Sequence, residues 1–172
     1  MIAASSAEKA DAVQPGVIGE QEAIAFIWRE ADMLDRLDYK PWLDLWTAEG
    51  RYVIPIERDA SDFESVLNVA YDDAEMRNAR VRRLESGFSM SSAPPARTVR
   101  TVSRFVVTGR ETGVIELRAA MVLVEHKYER TRLLAGDVDY RIVSAGDGLK
   151  LDRKVVRLIT ADDALFGIGY LI

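Results

Sequence analysis

The chain has 172 residues, 48% apolar and 30% charged, which is the length of one domain and enough to bury a real core. Its net charge of −5 disfavours nucleic acid or an anionic membrane as a general partner, and no apolar run approaches the ~18 residues of a membrane span. With no cysteine and one histidine, His126, the chain cannot build a disulfide, a Rieske cluster, a facial-triad iron site or a zinc site with two or three histidines.

Residues 1–18 are mostly Ala, Ser and charge around Pro15-Gly16, which predicts a flexible N-terminal arm, free or strapped across a partner subunit. No basic segment leads into an apolar core there, so no signal peptide is read and a cytoplasmic location is expected. Residues 19–172 are expected to form one domain. Ile24, Ile27, Trp28, Ala31 and Leu34 fall on one helical stripe, with Glu20 and Glu22 at the start, where the helix dipole favours negative charge. Asp38 to Pro41 interrupts that helix. A second, short helix is predicted through Trp42, Leu45 and Trp46, stopped by Glu49-Gly50.

Arg51 to Ile56 reads as a strand that Pro55 confines to an edge or an end. Residues from Glu57 to Asn68 carry no clear period. Asp72-Asp73 are expected to cap a helix through Met76, Ala79, Arg80, Arg83 and Leu84, stopped by Gly87. Ser91 to Pro95 is a loop. Thr98 to Val107, Val114 to Tyr128 and Leu149 to Ile159 are expected strands, with turns at Gly109 to Gly113 and Ser144 to Gly148. Asp162-Asp163 start a turn, and Phe166 to Ile172 suits a final strand. Helices first and a long, largely antiparallel sheet after them is an α+β layout, a curved sheet wrapped on N-terminal helices as a cone.

Three groups of side chains invite a chemical reading. Asp32 and Asp35, one helical turn apart near Tyr39, could present two carboxylates to one spot, or simply lie on a solvated face with Arg29 and Arg36. His126 could be a general base, although Glu125, Lys127 and Glu129 suggest the charged end of a strand. A stand-alone dehydratase or isomerase would use Asp35, Tyr39 and His126 around a ligand in the cone. A binding module of the same shape would do no chemistry. The arginines cluster, with Arg77, Arg80, Arg82 and Arg83 followed by Arg97, Arg100 and Arg104. Planar guanidinium groups suit ion pairs with a partner chain, and local pairing with Asp72, Asp73 and Glu75 is the alternative. The interface candidates are Asp72, Asp73, Arg80, Arg83, Arg97, Arg100 and Arg104, with Arg100→Glu expected to weaken assembly and spare the fold.

Several segments carry a resemblance. They are Glu30-Ala31-Asp32-Met33-Leu34-Asp35, Trp42-Leu43 and Tyr52-Val53-Ile54-Pro55, then Tyr71-Asp72-Asp73 and Arg80-Val81-Arg82-Arg83-Leu84. Pro94-Pro95-Ala96-Arg97-Thr98 follows, leading to Val102-Ser103, and then Leu134 to Arg141 and Asp152 to Val156. In order and spacing the chain resembles the small (β) subunit of aromatic-ring-hydroxylating dioxygenases. Ala96, Arg104 and Ile159 stand where serine, asparagine and aspartate are usual in that family.

The resemblance implies a cone of the nuclear-transport-factor or cystatin-like type. It also implies a homotrimer of these chains bound to three large (α) subunits, in an α3β3 hexamer. The Rieske 2Fe-2S cluster and the mononuclear iron are then expected on the α subunit, which adds both atoms of O2 to an aromatic ring. No catalytic, cofactor-binding or metal-ligating residue is expected on this chain, which would be the small subunit of a multicomponent enzyme.

Overall fold

The computed structural model describes residues 16–86, 94–161 and 168–172. In chain order these form α1 (Glu20–Asp35), α2 (Tyr39–Leu43), β1 (Trp46–Pro55), β2 (Asn68–Asp72) and α3 (Ala74–Glu85). Four long strands follow: β3 (Arg97–Glu111), β4 (Val114–Lys127), β5 (Arg130–Ala145) and β6 (Gly148–Leu158). They make one six-stranded sheet in the order β2-β1-β6-β5-β4-β3. Only the β1–β6 pair is parallel. The α+β cone expected from the sequence is the fold observed.

Alternation decides which side chains go inside. On β4, Ile115, Leu117, Ala119, Met121 and Leu123 are buried, while Glu116, Arg118, Ala120, Val122 and Val124 point outward, as a period of two requires. Bulges between Ser103 and Val106 and between Val107 and Gly109 bend β3, and the sheet curls around α1. Gly136 is demanded by a close approach, since a Cβ there would lie 2.3 Å from the Arg157 carbonyl oxygen. The edge strand β3 is covered by α1. The Trp28 indole donates to the Val102 carbonyl at 3.0 Å and Asp35 accepts from the Arg100 N–H at 2.8 Å, so these edge groups are not left open for pairing with another strand.

Several expectations need correction. Trp28 is 54% exposed; the buried stripe of α1 is Ala23, Ile24, Phe26, Ile27, Glu30, Ala31 and Leu34. The second helix ends at Leu43, and Trp46 opens β1 because pairing with Leu151 of β6 overrides the helical spacing from Trp42. Gly50 therefore lies in β1, 3.0 Å from the Leu151 carbonyl by its would-be Cβ. Pro55 does mark a strand end, and Asp73 caps α3 by accepting from the Met76 N–H at 2.9 Å.

On α3 the buried residues are Arg77 and Val81, and Met76 is exposed. β2 and β5 are strands that the sequence reading did not assign, and β3 extends through Gly109 to a turn at Thr112-Gly113. Residues 16–18, assigned to the arm, pack with the sheet: the Gly16 carbonyl accepts from the Gly113 N–H at 2.7 Å and Ile18 is in the core. The rest of the arm, Gly87, Ser91 to Ala93 and the Asp162-Asp163 turn lie outside the described residues. The tail 168–172 is not a strand. Tyr170, Leu171 and Ile172 are buried, and side chains hold them. The Tyr52 hydroxyl accepts from Ile172 N–H at 3.0 Å and donates to its carbonyl at 3.1 Å, and Arg100 Nη2 donates to the Leu171 carbonyl at 3.1 Å.

Candidate functional site

The interior of the cone holds charge. Tyr52, Lys154, Tyr140 and Leu117 are register partners across β1, β6, β5 and β4, so Lys154 sits in the middle of an inward row. Its Nζ donates to Glu30 Oε1 of α1 at 2.7 Å, and the Trp42 indole donates to the same oxygen at 2.8 Å. Both charged side chains are 1% exposed. Burial pushes the Lys154 ammonium below its ordinary pKa, and Glu30 opposes the shift. Both lie in segments that carry the family resemblance, but the sequence reading assigns neither as a site residue. Yet Glu30 lies on the buried stripe three residues after Ile27, and Lys154 alternates with Val156 and Leu158, which is the signal that places both inside.

Asp35 is fully engaged in a clamp. Oδ1 accepts from the Thr98 hydroxyl at 2.8 Å and lies 3.0 Å from Arg100 Nε, while Oδ2 accepts from the Arg100 N–H at 2.8 Å. Asp32 instead faces solvent and pairs with Arg36 at 3.0 Å, so the two carboxylates do not converge. Tyr39 is buried, and burial pushes its hydroxyl up to about 12. His126 lies on the outer face of β4, with Nδ1 3.0 Å from the Thr131 hydroxyl. Asp35 and His126 thus occupy opposite faces of the sheet. A general base and its partners must sit within hydrogen-bond reach of one reacting atom, and these three residues do not.

Among the arginines the structure separates internal from external. Arg77 is buried over the Trp46 ring, 4.4 Å from its centroid, and donates to the Gly50 carbonyl at 2.5 Å. Burial lowers its pKa to about 10. Arg80 grips Asp72, itself fully buried, through Nε at 2.5 Å and Nη2 at 2.8 Å. Arg100 is 7% exposed and points into the cone. Asp72 and Arg100 are therefore not surface residues, and Arg100→Glu would place a carboxylate beside Asp35 and strike the fold directly. Arg83, Arg97 and Arg104 remain exposed. Arg104, at a positive φ of 54°, pairs with Asp137, which Arg58 also holds at 2.8 Å.

The outer face of the sheet is divided. One end carries a lattice of ion pairs, Arg141 with Glu116 and Asp152, and Arg157 with Asp139. At the other end Val99, Val124 and Leu133 are direct register partners across β3, β4 and β5, and they are exposed by 67%, 37% and 70%. Val122 and Ile159 extend this apolar area. Inside the cone, Glu30 Oε2, Arg100 Nη1 and the Tyr140 hydroxyl are buried without a hydrogen-bond partner among the described residues, and the exterior offers a surface.

A profile of the ring hydroxylating beta subunit family matches residues 29–162. The chain belongs to this family. It is 31% identical over 141 residues to the N,N-dimethyl phenylurea N-demethylase subunit beta of Sphingobium sp. (strain YBL2), covering 78% of this chain and 76% of that one. It is 28% identical to the 2-halobenzoate 1,2-dioxygenase small subunit of Burkholderia cepacia, over 78% and 86%. The solved β subunit of benzoate 1,2-dioxygenase from Burkholderia mallei superposes with a TM-score of 0.74 at 23% identity, covering 90% of this chain and 98% of that one; it shares the fold.

The family name raises the question of metal. A Rieske cluster takes two cysteines and two histidines, and a mononuclear facial triad takes two histidines and a carboxylate. This β-family chain has no cysteine and one histidine, so its residues do not fit either group. Among the described residues no cluster of three or more His, Asp or Glu is arranged to hold a metal ion, and no helix is long and apolar enough to cross a membrane.

Proposed function

We propose that the chain is the non-catalytic β subunit of a cytoplasmic aromatic-ring-hydroxylating dioxygenase, supporting assembly and stability of a large subunit that carries the Rieske 2Fe-2S cluster and mononuclear iron. The observation that carries this reading is the family match across most of the domain, joined to a side-chain inventory that cannot supply the metal ligands. The geometry agrees in two respects. The carboxylates inside the cone are engaged in ion pairs and hydrogen bonds, and the accessible apolar surface lies on the outside of the sheet, where another chain can reach it. Self-association as a trimer within an α3β3 assembly belongs to the same reading.

The test is reconstitution. A large subunit that carries the two cysteines and two histidines of a Rieske site is produced with and without this chain, and soluble yield, melting temperature and oxygen uptake with an aromatic substrate are compared. The expected result is a large subunit that is stabilised and active in the complex, while the β chain alone is colourless, free of stoichiometric iron and inactive. Stoichiometric iron with a Rieske-type visible spectrum in the β chain alone, or turnover by it alone, would overturn the reading.

A further inference from the structure

Two chains of polar contacts cross the inside of the cone, and each ends on an atom without a partner among the described residues. In the first, the Trp42 indole and Lys154 Nζ both donate to Glu30 Oε1, at 2.8 and 2.7 Å, and Glu30 Oε2 is left over. The second runs from Asp35 through Arg100 to the tail. Arg100 Nη2 donates to the Leu171 carbonyl at 3.1 Å, and the Tyr52 hydroxyl accepts from the Ile172 N–H at 3.0 Å, so the two side chains grip opposite edges of one peptide unit. Here Arg100 Nη1 is left over. The third such atom is the Tyr140 hydroxyl. Tyr52, Lys154 and Tyr140 are register neighbours across β1, β6 and β5, and Lys154 Nζ lies 5.8 Å from the Tyr140 ring centroid. Tyr140 therefore stands beside both chains. Burial raises its pKa, the Glu30 charge raises it further and the Arg100 charge opposes the rise, so both charges reach its hydroxyl.

We propose that Glu30 Oε2, Arg100 Nη1 and the Tyr140 hydroxyl form a binding site for one buried water molecule, which bridges the Glu30–Lys154 pair to the Arg100–Asp35 pair. The two pairs are closed at 2.7 and 3.0 Å within themselves, and a bridge is what joins them. A carboxylate only accepts, a guanidinium only donates and a hydroxyl does either. A water that donates to Glu30 and accepts from Arg100 satisfies both and has a further bond for Tyr140, which makes the three bonds usual for an internal water. Two cations and two carboxylates balance here, so the occupant is neutral; Glu30 would repel an anion and Arg100 a cation. Leaving three buried polar atoms unmatched would cost stability at each of them. Tyr170, Leu171 and Ile172 are 6%, 1% and 1% exposed and close over this region, so exchange of the water waits on release of the tail. Glu30 and Asp35 lie five positions apart on α1, and the bridge ties that helix to β3, β5 and β6 through one network. The inference concerns the interior and does not depend on assembly with other chains.

A crystal structure of the full chain, refined with its ordered solvent, tests the site directly. The expected result is a water within about 2.5–3.2 Å of at least two of the three atoms. Tyr140→Phe tests it in solution, because that change removes the hydroxyl and keeps the ring. A hydroxyl bonded to a held water is missed when it goes, so the urea midpoint is expected to fall by about 0.5 M. A buried hydroxyl with no partner is better removed, and the midpoint would then stay or rise. Oxygen-17 relaxation dispersion of the solvent is expected to detect at least one long-lived internal water in the wild type. The proposal is overturned by a structure in which the three atoms turn onto protein groups with no water between them, or in which an ion occupies the place. An unchanged or raised midpoint for Tyr140→Phe, or a dispersion that detects no long-lived water, would overturn it equally. None of these outcomes bears on the β-subunit reading.

Discussion

Lys154→Met tests the charged interior most directly. The substitution keeps a long unbranched side chain but leaves the Glu30 carboxylate without its counter-charge, in a place where both side chains are 1% exposed. Breaking a buried pair by removing one partner costs about 3–5 kcal/mol, whereas replacing both partners with apolar groups is often neutral or stabilising. Glu30→Leu alone should cost less, because burial already lowers the Lys154 pKa and the orphaned ammonium can lose its proton. In Glu30→Leu/Lys154→Met the remaining loss is the Trp42 indole, whose acceptor is Glu30; an unsatisfied buried donor costs about 1–3 kcal/mol. Urea unfolding followed by tryptophan fluorescence reads all four proteins. With a slope of about 2 kcal/mol/M, Lys154→Met should lower the midpoint by about 2 M, and the double variant should recover most of that. A Lys154→Met loss below ~1 kcal/mol, or a double variant as unstable as the two singles added together, would refute the coupled buried pair.

Alkali should destabilise the fold. Burial raises Tyr39 to about 12 and also raises Tyr52, Tyr140 and Tyr170. The unfolded chain releases these protons near pH 10 and the folded chain holds them, so the stability they contribute is present below pH 10 and lost as pH rises toward the folded values. Each contributes about 1.4 kcal/mol per pH unit in that window. Arg77, lowered to about 10, acts in the opposite sense but is outnumbered; a melting temperature unchanged from pH 9 to 11 would contradict the tyrosine burial. The β4–β5 turn places Tyr128 and Glu129 at φ 50° and 60°, so Glu129→Gly should stabilise by about 1 kcal/mol, read as a rise in melting temperature. His126→Ala should leave the turnover of the reconstituted enzyme within about threefold, under ~1 kcal/mol of barrier, and a hundredfold loss with assembly intact would reinstate a catalytic role.

The long strands were legible because one face of each is dry, so the period of two survives in Thr98 to Val107 and Val114 to Lys127. β5 was harder to read. Gly136 and the outward Asp137, Asp139 and Arg141 give it a composition poor in strand formers, and only its partners on both sides make it a strand. Trp46 shows the opposite failure, a helical spacing from Trp42 overruled by pairing with Leu151. Charge misled in both directions. Arg100, Asp72, Glu30 and Lys154 look like surface residues by type, yet each finds its counter-charge inside, and only three-dimensional neighbours reveal that. The outer row of Val99, Val124 and Leu133 joins residues up to 34 positions apart through strand register, which no local pattern exposes.

Co-purification of this chain with a co-expressed large subunit that carries Rieske ligands tests the β-subunit role most directly. With an affinity tag on this chain alone, the expected result is a single sedimenting species that holds both chains in equal amounts, with iron and the Rieske visible spectrum lost when the large chain is omitted. A tagged chain that elutes alone, beside a large subunit that is stable and fully active without it, would contradict that role.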